Sequence, residues 1–417
     1  MQQPSRDKVN TRLCIIGAGP AGATLSIFLG KMGIRHLIVD AAVFPRDKVC
    51  GDGIDLNTVR VLNHIDPSIV KEDFADTTLF TASQGMRFIL PNGKQVEMKR
   101  KTENPGPGPE LLPVFYVGKR SVFDNLLVSK IDRNIADLRL GTKVTKISRN
   151  GAAWKLDAVT ETGTLEIEAD FLIGADGDHS VLLNFLGERK IDRFNYAGAI
   201  RQYWEGITGM HGENLIEIYF PKYLPFSYFW IFPLSKGEAN VGFGMASHHI
   251  ARKNINLRAA FEKIIRTDPL LKERFKNAKP RENIRGWGVP MSGSRRKAHG
   301  DKWLLVGDAA SIVCPSSGEG IGCGMISAYI AAKFIDRAVK EQNLGQAMFT
   351  NYDREIHKRL KPDEKLFRIL NHLPPWTFSF LINVFLSSKF IQKRMAKKTI
   401  PQWIETAYTK EIKVKLD

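Results

Sequence analysis

Three glycines near the start of the chain, Gly17, Gly19 and Gly22, fall in the pattern Gly-x-Gly-x-x-Gly, with Pro20 and Ala21 among them. That spacing suits a dinucleotide pyrophosphate. The first glycine permits a tight turn, the second lets the backbone approach the phosphates, and the third lets a helix pack closely on a strand. Asp40 stands 23 positions beyond Gly17, where a ribose-binding carboxylate belongs. Two more acids sit in glycine-rich turns, Asp176 before Gly177 and Asp308 after Gly307. Each is placed either to hold a ligand hydroxyl at a strand end or to serve as an ordinary turn or cap residue. Cys50 lies between Lys48 and Gly51-Asp52-Gly53. In such a polar loop a thiol can be tuned for proton donation or substrate positioning, and it can equally be inert packing. Tyr228, Trp230 and Phe232 alternate along YFWIFP and therefore share one strand face, an aromatic wall with one polar tip. A lone stripe of that kind also describes plain core packing.

The elements that must position these residues are legible. RLCIIGAGPAGATLSIFLGKMGIRHLIVDA reads as strand, tight turn, helix, strand, with strands over 13–16 and 36–39. The helix N-terminus then faces the phosphates with free N–H groups and a positive dipole end. FLIGADGDHS (171–180) and DKWLLVGDAASIVCPSSGEGIGCGMISAYIAAKFI (301–335) each run from an apolar strand into a glycine-rich turn. The second continues past Gly318 and opens a long apolar helix at Gly320 and Ile321. N–H groups there suit the flavin pyrimidine edge, where negative charge grows on reduction. The glycine fingerprint alone does not separate FAD from NAD; the three segments together favour the flavin. The block 187–297 interrupts the α/β pattern with alternating stretches such as NLIEIYF and EANVGFGM, which predict antiparallel strands.

Composition bounds the alternatives. The 417 residues suit two domains sharing an interface. Hydrophobic residues at 43% and charged residues at 25% exclude a disordered or fibrous chain. A formal charge of +17 favours an anionic partner, or simply gives a soluble basic surface. The four cysteines form no Cys-x-x-Cys pair, so zinc and iron–sulfur clusters lack their usual spacing and no metal is expected. Reduced thiols, a start without the apolar stretch of a signal peptide, and no run of about 20 apolar residues predict a cytoplasmic protein that does not cross a membrane. LPPWTFSFLINVFL (373–386) precedes Lys389, Lys393, Arg394, Lys397 and Lys398. This reads either as a helix in the interface of an anionic bilayer, on its inner face, or as a packed helical layer with a solvated basic side.

GAGPAG, GADG and VGDAA…GEGI resemble the FAD-dependent oxidoreductases related to para-hydroxybenzoate hydroxylase, and the likeness covers residues 10–340. Three strings narrow it. PRDKVCGDG (45–53), RSVFDNLL (120–127) and YFWIFPLSKGEANVGFG (228–244) are similar to motifs of the geranylgeranyl reductase family, in the form of its bacterial branch, which includes menaquinone side-chain reductases.

The resemblance implies a Rossmann-like FAD-binding domain (1–75, 115–186 and 298–340). It also implies an inserted antiparallel-sheet substrate domain (76–114 and 187–297) and a helical C-terminal region (341–417). It implies FAD contacts from Gly17, Gly19, Pro20, Ala21, Gly22 and Asp40, from Lys48, Cys50 and Gly51 beside the flavin ring, and from Arg120 along the cofactor. Further contacts are implied at Val144, Asp176 and Gly177, and at Asp308, Gly318, Gly320 and Ile321. Cys50 and the wall of Tyr228, Trp230 and Phe232 would meet the substrate. The implied activity is reduction of carbon–carbon double bonds in an isoprenoid lipid or quinone tail, with electrons from an unidentified donor (NAD(P)H, ferredoxin or other). The expected partners are a hydrophobic or lipid substrate and a membrane surface, not nucleic acid. Two positions depart from the pattern. Leu183 stands where the superfamily has arginine after GADG, which argues against direct NAD(P)H docking there, and Cys314 stands where the family commonly has Asn.

Two rivals remain from the sequence. One is a flavin-dependent monooxygenase or halogenase acting on an aromatic substrate, although halogenases show Trp-x-Trp-x-Ile-Pro where this chain has Tyr228-x-Trp230-x-Phe232-Pro233. The other is a basic membrane- or nucleic-acid-binding protein with a vestigial flavin fold.

Overall fold

The structure is a computed structural model that describes residues 6–99, 112–294 and 296–416. Residues 1–5, 100–111, 295 and 417 of the expected domains lie outside the described residues.

The first sheet is built around the strand Arg6–Ile16, which pairs in parallel with Thr164–Gly174 on one side and His36–Val39 on the other. Trp303–Leu305 and Ala136–Arg139 extend it, also in parallel. The central residues Leu13, Cys14, Ile15, Leu37, Ile38, Phe171, Leu172 and Ile173 are buried, as strands covered on both faces must be. Arg6–Ile16 begins seven residues before the apolar run read from the sequence. Its polar first half pairs with Thr164–Ala169, where an antiparallel arm of Lys143–Asn150 and Ala153–Val159 adds on. That half is half-exposed, so apolarity did not mark it. The helix Pro20–Lys31 packs its apolar length against the sheet and against the long helix Ile321–Lys340.

The second sheet has the order Lys279–Pro280, Tyr196–Glu205, Glu238–Ala246, Ser227–Pro233, Ile216–Tyr219, Gly85–Ile89, Gln95–Lys99, with Arg285–Pro290 also on Tyr196–Glu205. It differs from the expected antiparallel sheet in one pairing: Ile216–Tyr219 runs parallel to Gly85–Ile89. The two segments are far apart in sequence, and parallel pairing needs such a long crossover. Phe229, Ile231, Val241 and Phe243 face a core shared with the helices Leu257–Thr267 and Pro269–Arg274. The opposite faces of those strands meet the Cys50–Gly53 loop and Gly318.

The C-terminal region is helical, and part of it is tied to the helices Leu56–Ile65 and Ile321–Lys340. Arg60 donates to the Lys410 carbonyl at 2.9 Å and Arg337 to that of Leu416 at 2.6 Å. Ile400, Ile404, Ala407 and Ile412 are buried. Among the described residues no helix is long and apolar enough to cross a membrane.

Candidate functional site

The glycine fingerprint closes as its spacing requires. Gly17 has φ of +103°, and its N–H donates to the Val39 carbonyl at 2.7 Å. A β-carbon on Gly22 would stand 1.8 Å from the Gly17 carbonyl oxygen, so the helix can leave the turn only from a residue without one. Gly19 caps the helix in extended backbone, with Pro20 at its first position. Asp40, expected to hold a ribose, is bonded within the protein: its carboxylate accepts from the N–H of Ala18 at 2.6 Å and of Ala42 at 2.8 Å. It pins the phosphate turn, and a carboxylate has lone pairs left for a ribose hydroxyl.

The other turns converge on the same place. The β-position of Gly307 lies 2.9 Å from the Ala21 methyl, and that of Gly324 lies 3.6 Å from it. The β-position of Gly320 lies 3.6 Å from Asp308 Oδ1. The start of helix Pro20–Lys31, the Gly307–Asp308 turn and the start of helix Ile321–Lys340 therefore meet. Burial raises the Asp308 carboxyl, while the Lys48 and Arg120 charges pull it back down. Asp176 partly obeys the bland reading, accepting from the Val181 N–H at 2.8 Å. Its Oδ1 is buried with no partner among the described residues, and burial raises the group to about 6. Val144 lies farther out, on the antiparallel arm, two residues after Thr142, whose N–H donates to the Asp40 carbonyl. Leu183 is fully buried in the core, which explains why it can replace an arginine. Nothing in the structure accounts for Cys314.

An FAD molecule fits this cradle on three observations. Beside Gly19 the nearest atom to a β-position is a guanidinium nitrogen of Arg46 at 3.5 Å, and beside Gly177 nothing lies within 4 Å. The neighbouring Asp176 carries a buried carboxylate oxygen, Oδ1, without a partner among the described residues. Arg46 was missed in the sequence because it belongs to no spacing pattern. It is brought over the phosphate turn by its ion pair with Asp124, at 2.7 Å. Arg120 grips the same Asp124 with two bonds of 2.6 and 2.7 Å and also reaches the Cys50 thiol.

Opposite the cradle stands the aromatic wall. Tyr228 and Trp230 have ring centroids 5.7 Å apart, and Trp230 and Phe232 6.2 Å. The β-position of Gly51 lies 3.4 Å from Phe232 and 3.5 Å from the Trp230 indole nitrogen. That of Gly318 lies 2.6 Å from the Tyr228 hydroxyl. The structure thus brings Cys50, Gly51, Gly318, Tyr228, Trp230 and Phe232 together. It also explains the glycines downstream of the aromatics. Gly242 and Gly244 are the cross-strand partners of Trp230 and Tyr228, and a β-carbon on Gly242 would stand 2.1 Å from the indole.

A buried network fastens the wall to the cysteine loop. Trp230 Nε1 donates to Asn240 Oδ1 at 2.9 Å. Asn240 Nδ2 donates at 2.8 Å to both the Cys50 carbonyl and Asp52 Oδ2. Tyr203 donates its hydroxyl to the same Asp52 oxygen at 2.7 Å. Sequence reasoning missed Asn240, Tyr203 and the role of Asp52; the one available signal was an Asn among apolar strand residues. Burial sets the proton states here. It raises the Cys50 thiol, which stays protonated at neutral pH, and raises Tyr228 to about 12 and Asp52 to about 6. It lowers Lys48, whose ammonium sits 3.5 Å over the Trp287 ring, to about 8.

The comparisons fit this geometry. The model of the FAD binding domain family matches residues 10–362. Menaquinone reductase of Mycolicibacterium smegmatis is 31% identical over 333 residues, 78% of this chain and 77% of the relative. The chain belongs to the FAD-dependent oxidoreductases of the geranylgeranyl reductase family. Digeranylgeranylglycerophospholipid reductase of Methanococcus vannielii is 27% identical over 368 residues, 86% of each chain. Among solved structures, a geranylgeranyl bacteriochlorophyll reductase-like protein from Thermoplasma acidophilum superposes with a TM-score of 0.79 at 21% identity, covering 96% of this chain and 97% of its own. A flavin-dependent brominase superposes at 0.72 with 20% identity, covering 97% and 100%. Those two likenesses concern the fold. The family makes this protein an FAD-dependent oxidoreductase.

Proposed function

We propose that this flavoprotein saturates carbon–carbon double bonds in an isoprenoid lipid or quinone side chain, at the cytoplasmic surface of a membrane. The observation that carries the reading is the row Tyr228–Trp230–Phe232 standing against the Cys50–Gly51 loop. Such a wall offers flat apolar faces to a polyprenyl chain, with two protonated groups beside it. The names of the menaquinone and digeranylgeranylglycerophospholipid reductases support the same substrate class.

The residues would act as follows. Gly17, Gly19, Pro20, Ala21 and Gly22 would hold the pyrophosphate of FAD at the helix N-terminus, with Arg46 opposing its charge. Asp40 would take the ribose, Asp308 the ribityl chain, and Gly320 and Ile321 the pyrimidine edge. Bound and reduced, FAD supplies the hydride equivalent. Trp230 and Phe232 orient the alkene and exclude water. The Cys50 thiol or the Tyr228 hydroxyl, both held protonated by burial, gives the proton.

The test is anaerobic. Chemically reduced enzyme should be reoxidised by a geranylgeranyl lipid or menaquinone, and the product should gain two mass units per saturated bond, since hydride plus proton is two hydrogens. Failure across a panel of unsaturated isoprenoids, with oxygen plus an aromatic compound giving a hydroxylated or halogenated product, would overturn the reading.

A further inference from the structure

The helix Pro375–Ser387, sequence PWTFSFLINVFLS, carries no charged residue and is mostly apolar, with Ser379, Asn383 and Ser387 along one stripe. A helix of that kind belongs inside a protein or a lipid phase. Here only one side is packed. Leu386 and Ile382 join a core with Val96, Met98, Ile400 and Ile404. Phe378 lies 4.5 Å from the Phe226 ring. The other side is open. Trp376 is 72% exposed and Phe380 and Phe385 each 58%, with Val384 beside them. These four fall on two adjacent stripes one turn apart, a continuous face. The following helix, Lys389–Arg394, adds Phe390 at 73% exposure. An apolar patch of this size marks an interaction site.

From this we propose that the face is a membrane-docking surface, seated in the plane of an anionic bilayer. At 13 residues the helix is about 20 Å long, too short for a hydrocarbon core of about 30 Å, but suited to lying along its boundary. Lys389, Lys393 and Arg394 are exposed directly after it, where cations meet lipid phosphates. The same charge argues against a second copy as the occupant, because two chains of +17 would bring like charges together. The inference rests on the isoprenoid reading and gives that site its partner. The inner side of the docking helix touches Phe226, which leads through Ser227 into Tyr228, the first ring of the wall. The docking helix therefore packs against the segment that leads directly into the wall.

The test uses the full-length, flavin-bound protein and vesicles of phosphatidylcholine with or without phosphatidylglycerol. The protein should float with the anionic vesicles and be released at high salt. Trp376→Ser, Phe380→Ser and Phe385→Ser together should lower the partition coefficient by roughly a hundredfold or more, because three large apolar side chains no longer leave water. Lys389→Glu with Lys393→Glu should weaken flotation on anionic vesicles only. Both variants should retain flavin and reduce a detergent-dispersed isoprenoid at the wild-type rate. Wild-type protein that stays with the unbound fraction while reducing dispersed substrate would overturn the docking and leave the chemistry standing. Flotation without any reduction would do the reverse. A dimer that dissociates in the triple variant, with no flotation by either form, would show that the face binds a second copy.

Discussion

Replacing Asp52 with Asn tests whether burial governs the network behind the aromatic wall. Asp52 is fully buried with φ of +62°, and its Oδ1 has no partner among the described residues. Burial raises its carboxyl from 3.8 to about 6, although the bonds from Tyr203 and Asn240 and the charges of Arg201 and Arg120 oppose the shift. The folded state therefore holds the proton more tightly than the unfolded chain. The resulting stability is fully present below pH 3.8 and lost as the pH rises through about 6. At about 1.4 kcal/mol per pH unit, ionising Asp52 in the fold costs about 3 kcal/mol. Asn tolerates the left-handed backbone. Its oxygen can accept both bonds that Asp52 Oδ2 accepts, but its amide then points where Oδ1 was unpaired. That mismatch costs about 1–3 kcal/mol, and it does so equally at every pH. The diagnostic quantity is the change in the difference between variant and wild type. In denaturant unfolding with saturating FAD, Asp52→Asn should gain about 2.5 kcal/mol relative to wild type between pH 4 and pH 7.5, since part of the change already lies below pH 4. Asp176, raised for the same reason, is present in both proteins and cancels. A difference that stays constant over that range would refute the reasoning and mean that the charge is already compensated.

The cradle makes a sharper claim about fold and flavin. Gly19→Val should fold normally, because only the flexible end of Arg46 lies near the new side chain, yet purify colourless, as absorbance near 450 nm would show. Flavin retained by the folded variant would sink the phosphate assignment. Trp230→Ala should raise KM for the lipid by about tenfold or more, through lost apolar contact, while flavin binding persists; steady-state kinetics with a dispersed isoprenoid decide it. Cys50→Ser keeps the size and leaves a hydroxyl that holds its proton more tightly than a thiol. If the thiol supplies the proton, single-turnover reoxidation should slow by about 10²–10⁴-fold with FAD bound, and an unchanged rate would point to Tyr228 instead.

What could be read in the linear chain was whatever local geometry demands of residue type. Gly17 and Gly22 announce a turn that no side chain can enter, and apolar runs of four residues announce strands covered on both faces. The period of two in YFWIFP is enough to place three aromatic rings on one side. The family motifs named the cofactor for a related reason, since a phosphate turn and its flanking acids sit close together in the chain. The polar half of strand Arg6–Ile16 and the parallel pairing of Ile216–Tyr219 with Gly85–Ile89 escaped, because neither leaves a local hydrophobic signature.

Only the tertiary structure decided which distant polar groups meet. Asn240 and Tyr203 reach Asp52 across 188 and 151 residues, and Arg46 reaches Asp124 across 78. No spacing rule connects such pairs, because a hydrogen bond depends on the position of side chains after two sheets have packed. The tail shows the same division. Its composition allowed both a packed layer and a membrane helix, and the packing of Ile382 and Leu386 shows the first over part of its surface. Ile382 and Leu386 of Pro375–Ser387 pack on the protein while Trp376, Phe380, Val384 and Phe385 are exposed, because a helix whose apolar residues span more than one side has some left over once the first side is packed.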